Sequence, residues 1–272
     1  MTKTKKQKPA ERHARVLAFA NHKGGVAKTT TTLSVGFSLS RRGAHVLLID
    51  LDAQSNLTFS LLREDAEYDS IYDSINKGEA SLPIIKVKDN LDLVPSSLNL
   101  AQLEISLSGL LQREYIIQDK IKPYLGQYDY ILIDCPPSLG IFTVNALVAA
   151  DYVVIPMTAE VLPYKGLSSL VVLINQISER MNPELSVLGI LLTRYKGQNK
   201  LTKNIENAIR QIYGPLLLES HVRETTRAAE APIARVALLE YAPGSTAAKD
   251  YESVVTELIK RMENGPEADK KE

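Results

Sequence analysis

The amino-acid sequence predicts an α/β protein with three layers, in which a mostly parallel, twisted sheet carries helices on both faces. Two observations lead to this prediction. Short, fully apolar segments alternate along the chain with longer segments whose apolar residues recur every three or four positions. Several of the apolar segments end in an aspartate or lead into a glycine-containing loop, which is typical of parallel strands at the edge where ligands bind.

The first β-α-β unit is predicted near the start of the chain. Residues 16–20 form an apolar strand, residues 28–42 have helical spacing, and residues 46–49 form a second strand that leads directly to Asp50. Within the helical segment, Gly36 carries no side chain and would let a neighbouring element approach closely.

The alternation continues towards the C-terminus. Further strands are predicted at residues 91–94, 130–133, 152–155 and 187–192. Further helices are predicted around residues 167–177, at 199–213 and at 247–262. Residues 64–125 are polar and less regular, so we expect an insertion or a helical lid there.

Length and composition indicate one soluble globular domain. The 272 residues are 44% hydrophobic, and no apolar run is long enough to span a membrane. We predict a single domain over residues 16–262, between a basic flexible tail at 1–15 and a charged tail at 263–272. The single cysteine, Cys135, suits a reducing compartment, and the chain starts without the apolar segment of a secretory signal, so we expect a cytoplasmic protein.

The charges are balanced overall but unevenly placed. The net charge is zero, whereas residues 1–15 hold six lysines and arginines against one glutamate. The tail therefore carries +5 and the rest of the chain −5, which excludes a protein that is basic throughout and binds nucleic acid by its whole surface. Contact with a phosphate polymer must use the tail or a local patch.

The strongest chemical signal is the segment KGGVAKTT, residues 23–30, between the first predicted strand and the first predicted helix. A glycine-containing loop that opens a helix directs backbone N–H groups at one point, where the helix dipole favours anions. Lys28 adds a positive charge for the terminal phosphates of a nucleotide, and the Thr29 hydroxyl can bind Mg²⁺. The strict phosphate-loop pattern has glycine at positions 22 and 27, where this chain has His22 and Ala27.

Three aspartates follow predicted strands. Asp50 and Asp52 come after the second strand, and Asp134 comes after the strand at 130–133. Because ligands of open parallel sheets bind beyond the carboxyl ends of the strands, we expect all three to lie near the phosphate loop. Asp134 could hold Mg²⁺ through water, and Asp52 could orient an attacking water. A single aspartate at a strand end is as readily a helix cap as a catalytic group, but three beside one loop favour catalysis.

Other kinds of site find no support in the sequence. The histidines show no metal-ligand spacing with one another or with Cys135, and the nucleophile motif G-x-S-x-G is missing. These observations exclude metalloenzyme and serine hydrolase hypotheses.

In order and spacing, the segments KGGVAKTT, LLIDLDAQSN and YILIDCPPSLG resemble the deviant Walker A branch of P-loop NTPases, specifically the ParA/Soj partition ATPases. The C-terminal part resembles them through Glu230, Ala231 and Pro232 and through a later Pro-x-Ser segment. The resemblance runs from about residue 16 to residue 260. It implies one P-loop ATPase domain of the deviant Walker A type.

The resemblance also implies roles for individual residues. The nucleotide-binding residues would be Lys23, Gly24, Gly25, Val26, Ala27, Lys28, Thr29, Thr30 and Pro232. Lys23 would be the signature lysine, which reaches across a dimer to the nucleotide of the other subunit. Asp52 would promote hydrolysis together with Lys23 and Lys28. Thr29, Asp50 and Asp134 would lie at the Mg²⁺, partly through water.

For activity and partners, the resemblance implies a weak, Mg²⁺-dependent ATPase that cycles between ATP and ADP. Family members form an ATP-sandwich homodimer, bind DNA without sequence preference in that state, and are stimulated by a ParB-like adaptor. The expected function is segregation or positioning of a plasmid or chromosome, with nucleoid association in the ATP state and no membrane partner.

The sequence departs from the family pattern at a few positions. Ala27 replaces the glycine most often found before the loop lysine, and we expect it to adopt the helical φ. Ala53 and Ser55 replace the commoner proline and glycine after Asp52. None of these changes removes a reactive group, so they bear on turnover rate.

A basic patch for the DNA backbone is predicted in the C-terminal part of the chain. Its residues are Lys196, Lys200, Lys203, Arg210, Arg223 and Arg227. The first four have the offsets of one helix face, and the alternative interpretation is an ordinary solvated surface helix.

Two other switches share the same loop. A MinD-like membrane-associated ATPase would need a C-terminal amphipathic membrane helix, and the apolar face of the segment at 247–262 is explained more simply by docking on the core. A ParA-like positioner of a protein cargo would use the same ATP and DNA chemistry, and no residue distinguishes it from a plasmid or chromosome system.

Overall fold

Seven strands form one sheet in the computed structural model, which describes residues 13–63, 65–159 and 163–264. The strands are β1 (Arg15–Phe19), β2 (Val46–Asp50), β3 (Ile85–Lys88), β4 (Leu91–Val94), β5 (Tyr130–Asp134), β6 (Tyr152–Thr158) and β7 (Ser186–Thr193). Their order is β3-β4-β2-β5-β1-β6-β7, with β3 antiparallel to β4 and all other neighbours parallel.

Helices lie between the parallel strands and also follow the last strand, β7. They are α1 (Lys28–Arg41), α2 (Asn56–Phe59), α3 (Ile71–Asn76), α4 (Leu100–Ser106), α5 (Ile116–Ile121), α6 (Ile141–Ala149), α7 (Pro163–Arg180), α8 (Lys200–Tyr213), α9 (Arg227–Glu230), α10 (Leu238–Tyr241) and α11 (Thr246–Asn264). In the described part of the chain, no helix is long and apolar enough to cross a membrane.

A hydrophobic core lies on each face of the sheet. In β1, Val16 and Ala18 belong to one buried cluster, whereas Leu17 and Phe19 belong to the other. This alternation is expected because successive side chains of a strand point to opposite faces. The first cluster includes residues of α6 and α7, and the second includes residues of α1 and α11. The predicted α/β class with helices on both faces of a mostly parallel sheet is confirmed.

The apolar face of α11 is used in the second core. Val254, Val255, Leu258 and Met262 are buried there, next to residues of α1. An apolar helix face of this kind could also bind a membrane, but the packing of α11 against α1 accounts for its apolar character.

Helix α1 lies close against the sheet at Gly36. A methyl group added at Gly36 would lie 2.6 Å from Cδ2 of Leu48 in β2 and 3.3 Å from Cδ1 of Leu132 in β5. The missing side chain therefore brings α1, and the loop at its N-terminus, close to the central strands.

Some predicted boundaries differ from the structure. Arg15, assigned to the basic tail, is the first residue of β1, and residues 1–12 lie outside the described part. Helix α11 continues to Asn264, beyond the predicted start of the charged tail, and residues 265–272 are likewise outside. Residues 64–125 contribute β3 and β4 to the sheet and buried residues to the core, so the expected insertion or lid is wrong.

The carboxyl ends of the central strands meet at one edge. Asp50 at the end of β2 pairs in register with Asp134 at the end of β5, and Phe19 at the end of β1 pairs with Asp134 from the other side. The loop after β1 therefore starts beside both aspartates.

Candidate nucleotide-binding site

The loop between β1 and α1 turns through two left-handed residues. Gly25 has a φ of 73° and Ala27 a φ of 63°. The expectation that Ala27 adopts a helical φ is wrong, because the loop reverses direction there before α1 begins at Lys28. The Ala27 carbonyl accepts hydrogen bonds from the Thr31 amide (2.9 Å) and the Thr31 hydroxyl (2.7 Å), which fixes the loop to the first turn of the helix.

A cavity of about 500 Å³ opens in front of this loop. Of the predicted site residues, those that line it are Gly24, Gly25, Ala27, Lys28, Thr29, Thr30, Asp52 and Pro232. Phe59 and Val236 add apolar side chains to the lining. The volume and the mixture of polar and apolar lining residues match the usual form of a small-molecule site.

Lys28 is buried at the floor of the cavity. Its Nζ donates to the Lys23 carbonyl at 3.3 Å. Burial lowers the pKa of Lys28, and the nearby Asp134 and Asp52 carboxylates oppose this effect. A buried cation with these neighbours is suited to an anion that enters the cavity.

Asp134 is a buried carboxylate bonded to two threonines of α1. Thr29 donates to Oδ2 at 2.6 Å and Thr32 donates to Oδ1 at 3.4 Å. Burial, and then the charge of Asp50, raise the pKa of Asp134 to about 8. A carboxylate held in such a place gains from a cation beside it.

The oxygens of Thr29 and Asp134 fit the needs of Mg²⁺. Mg²⁺ in nucleotide sites binds one or two protein oxygens and completes its shell with water and phosphate oxygens. The described residues contain no cluster of three or more carboxylates, histidines or cysteines that would form an all-protein metal site. The adjacent hydroxyl and carboxylate therefore suit a metal that arrives with a nucleotide.

Asp50 anchors the segment that follows β2. Its Oδ1 accepts the Asp52 amide at 3.1 Å, and its Oδ2 accepts the amide (2.9 Å) and the hydroxyl (2.7 Å) of Thr58. Burial raises the pKa of Asp50 to about 6, although these hydrogen bonds lower it. Asp52 lines the cavity, and its Oδ1 accepts the Gln54 amide at 3.0 Å. Asp50 thus positions Asp52 and α2 through its hydrogen bonds.

Comparison with known proteins identifies the family. A family model described as an AAA domain matches residues 14–187. Sporulation initiation inhibitor protein Soj of Bacillus subtilis is 34% identical over 247 residues, which cover 90% of this chain and 98% of Soj. Chromosome partitioning protein ParA of Caulobacter vibrioides is 35% identical over 253 residues, which cover 91% of this chain and 94% of ParA. The chain belongs to the ParA/Soj family.

A solved structure similar to this ParA/Soj chain contains nucleotide and metal. It is named cobyrinic acid a,c-diamide synthase of Mycobacterium smegmatis with bound ATP analog and magnesium. Its sequence is 31% identical, its TM-score is 0.79, and the match covers 93% of this chain and 97% of that chain. The P-loop NTPase fold predicted from the sequence is therefore confirmed.

In this ParA/Soj chain, Lys23 occupies a different position from Lys28. Its carbonyl accepts the Lys28 Nζ, and its amide donates to Oδ1 of Asn21 at 3.0 Å. Lys23 is not one of the described residues that line the cavity. Val26 does not line the cavity either: its side chain is buried, and its carbonyl accepts a hydrogen bond from the Thr193 hydroxyl at 3.0 Å.

The six residues of the predicted DNA patch are distributed over several elements. Four of them form ion pairs: Lys196–Glu224 (2.7 Å), Arg210–Glu219 (2.6 Å), Arg223–Asp250 (2.6 Å) and Arg227–Glu230 (2.7 Å). Lys200 and Lys203 are exposed at the start of α8. Among the residues that the structure describes, neither lysine forms an ion pair with a carboxylate. The structure thus divides the patch into four neutralised cations and two lysines at a helix N-terminus.

Several residues of the site were not identified from the sequence. Thr58 bonds Asp50, Asn21 bonds the Pro156 carbonyl and the Lys23 amide, and Phe59 and Pro137 line the cavity. Asn21 lies two residues before the motif KGGVAKTT and Pro137 lies within YILIDCPPSLG, and these positions are the signal that could have indicated them.

Proposed function

We propose that this chain is an ATP-dependent, dimerising molecular switch that hydrolyses ATP and serves in segregation or positioning of a plasmid or chromosome. The observation that carries the proposal is the convergence of Lys28, Thr29, Asp52 and Asp134 on one edge of the sheet, with three of them lining the cavity. Family membership and the nucleotide bound to a solved relative support ATP and ADP with Mg²⁺ as the ligands.

In the proposed mechanism, backbone N–H groups of residues 24–25 and 27–30, which line the cavity, would bind the phosphates, and Lys28 would supply a buried positive charge. Thr29 and Asp134 would hold Mg²⁺, which when bound neutralises charge on the terminal phosphates. Asp52, held by the hydrogen bonds around Asp50, would orient the attacking water. The apolar lining residues, which include Pro232, would contact the base.

The negative charge of a bound triphosphate is the reason for proposing a homodimer. A triphosphate with Mg²⁺ retains negative charge that one lysine offsets only in part. Lys23 does not line the cavity of its own chain in the described structure, so we propose that it contacts the nucleotide bound by a second copy. This arrangement would make dimer formation depend on the triphosphate.

Binding of non-specific DNA is proposed for the ATP state, with release after hydrolysis and nucleoid association as the result. Lys200 and Lys203 are the first candidates for phosphate contacts, because they stand exposed at the N-terminus of α8. The paired residues Lys196, Arg210, Arg223 and Arg227 would have to exchange a carboxylate for a phosphate. A ParB-like adaptor is the proposed stimulator of hydrolysis.

The experiment that tests the function measures nucleotide binding and mass together. With ATP and Mg²⁺, light scattering should show a dimer and calorimetry should show binding, whereas ADP should leave a monomer. Lys28→Ala should abolish binding, and Asp52→Ala should bind and dimerise but lose hydrolysis. A folded parent chain that ignores ATP in both measurements contradicts the proposal. Arg42→Ala, which breaks a surface pair with Glu252, serves as the control.

Two alternative functions are a MinD-like membrane-associated positioning ATPase and a ParA-like positioner of a protein cargo. A MinD-like protein would float with anionic liposomes in the ATP state, and we do not favour it because the apolar face of α11 is buried in the core. A positioner of a protein cargo would bind ATP and DNA in the same way and would differ in its adaptor. The cobyrinic acid a,c-diamide synthase of M. smegmatis is named for another reaction, and we do not propose that reaction for this chain.

A further inference from the structure

Arg235 occupies a backbone position that favours glycine. Its φ is 57°, in the left-handed region. Its amide donates to the Pro232 carbonyl at 3.0 Å, and the Val236 amide donates to the Ala231 carbonyl at 3.3 Å. These two bonds are those of a Schellman motif, in which the left-handed residue is usually glycine because a Cβ atom is disfavoured there. The presence of arginine therefore calls for compensating contacts of its side chain.

The guanidinium of Arg235 makes such contacts with the end of α2. Its Nη1 donates to the Phe59 carbonyl at 3.0 Å and also to the Leu62 carbonyl. Its central carbon lies 4.6 Å from the centre of the Phe59 ring, within the range of a cation–π interaction. Carbonyls at the end of a helical turn have no partner within the turn, so a cation bound to two of them is well placed.

These contacts join two walls of the nucleotide cavity. Phe59 lines the cavity from the α2 side, and Pro232, Ile233 and Val236 line it from the Arg235 side. The exposed fractions of 45% for Phe59 and 77% for Ile233 show that both walls reach solvent. Arg235 therefore spans the rim of the cavity, between segments that are more than 170 residues apart in the sequence.

We propose that Arg235 is a positioning residue that holds the Pro232 segment against the end of α2 and thereby slows the exchange of nucleotide. The strap is the set of contacts that the Arg235 guanidinium makes with the Phe59 and Leu62 carbonyls and with the Phe59 ring. The proposal rests on the proposed nucleotide-binding function. With the strap closed, the two walls keep their separation and a bound nucleotide leaves slowly. With the strap open, the Pro232 segment can move away from Phe59 and the nucleotide leaves faster.

Two variants test the strap. Arg235→Gly removes the side chain and also suits the left-handed backbone, so the fold is retained. Arg235→Lys keeps the positive charge, but one ammonium group lacks the planar fork that bonds two carbonyls and stacks on a ring. Arg261→Ala is the matched control, because Arg261 also bonds carbonyls of separate segments, Leu188 and Pro215, away from the cavity.

The first readout is the release rate of methylanthraniloyl-ADP with Mg²⁺, chased with excess ATP in a stopped-flow instrument. Release should be about tenfold faster in Arg235→Gly and several-fold faster in Arg235→Lys, and unchanged in Arg261→Ala. Release within twofold of the parent rate in both Arg235 variants overturns the proposal.

The second readout needs no nucleotide. Hydrogen exchange of the amides in residues 56–62 and 231–236 should be faster in both Arg235 variants than in the nucleotide-free parent, and equal to the parent in Arg261→Ala. If the parent fails to bind the fluorescent nucleotide, the proposed function fails, and the exchange data alone decide about the strap. Parent-like exchange in both Arg235 variants refutes it.

Discussion

The hydroxyl of Thr29 donates a hydrogen bond of 2.6 Å to Oδ2 of Asp134, which lies 105 residues further along the chain. The bond joins the first turn of α1 to the end of β5 at the point where the loop Lys23–Lys28 approaches the sheet. It places a hydroxyl oxygen and a carboxylate oxygen side by side before any metal is bound. The same pair would serve Mg²⁺ with little rearrangement.

Asp134 and Asp50 should make the stability of the nucleotide-free protein fall as the pH rises from about 5 to about 8. The folded-state pKa of Asp134, about 8, lies above that of an exposed aspartate, so in this window the folded protein keeps a proton that the unfolded chain has already released. Asp50, with a pKa of about 6, acts in the same direction over the lower part of the window. One such group lowers the free energy of unfolding by at most about 1.4 kcal/mol for each pH unit.

Thermal unfolding of the Mg²⁺-free and nucleotide-free protein between pH 5 and pH 8 checks this dependence. Asp134→Asn keeps the shape of the side chain without its titration and should flatten the profile. A parent melting temperature that is constant or rises across this range contradicts the assignment, and so does an equal slope in Asp134→Asn.

Ala27→Gly should stabilise the protein by up to about 1 kcal/mol. Ala27 has a φ of 63°, at which a Cβ atom is disfavoured and glycine is not. Urea unfolding gives the change in free energy. The control is Ala101→Gly on the exposed side of α4, which should instead destabilise by about 0.5–1 kcal/mol. Destabilisation by Ala27→Gly of the same size as the control would show that the loop is unstrained.

Gly36→Ala should destabilise the protein by about 1–3 kcal/mol. The added methyl group would lie 2.6 Å from Leu48 Cδ2, so α1 must move away from the sheet or Leu48 must leave its rotamer. Because α1 carries Lys28 and Thr29, ATP affinity should fall as well. Thermal unfolding measures the stability and calorimetry measures the ATP affinity. Gly109→Ala, where an added Cβ meets nothing within 4 Å, is the control for both measurements. Equal melting temperatures for the two variants would contradict the close approach.

Replacing Lys200 and Lys203 by alanine should weaken DNA binding in the ATP state and make it less sensitive to salt. Two lost phosphate contacts should reduce the slope of log K against log salt by about 1.8. Fluorescence anisotropy of a labelled duplex over a salt series measures this slope. Lys86→Ala, in the edge strand β3, is the control. A double variant with the parent slope removes the N-terminus of α8 from the DNA interface.

The sequence was sufficient to predict the strands and helices whose apolar residues form a clear run or recur with a clear period. Strands β1, β2 and β5 are short apolar runs bounded by polar residues, and α11 has one apolar face. In α1 the pairs Leu33/Phe37 and Val35/Leu39 gave the helical spacing, although the helix is buried on nearly all sides. The segment Ile85–Lys88 was not predicted as a strand, because its lysines give it the character of a polar loop although it forms the antiparallel edge. The segment Ile141–Ala149 was not predicted as a helix, because it is almost entirely apolar and lacks the period of an amphipathic one.

At the site, motifs indicated which residues matter, but their conformations and partners depend on the folded chain. The left-handed φ of Ala27 is set by how the loop meets α1, and no local pattern predicts it for alanine. Arg223 was assigned to a DNA patch from its charge, whereas it pairs with Asp250 of α11. The role proposed for Arg235 depends on its bonds to the Phe59 and Leu62 carbonyls, which are more than 170 residues away in the sequence, so no local pattern indicates it.

The three hydrogen bonds accepted by Asp50 also affect how mutants of this region should be interpreted. An alanine at Asp50 would release the Asp52 amide and both groups of Thr58 at once, so the Asp52 segment and α2 would lose their common anchor. An inactive Asp50→Ala protein would therefore say nothing about whether Asp50 touches the metal. Asp50→Asn, which keeps one carbonyl oxygen for Thr58, is the more informative replacement for that question.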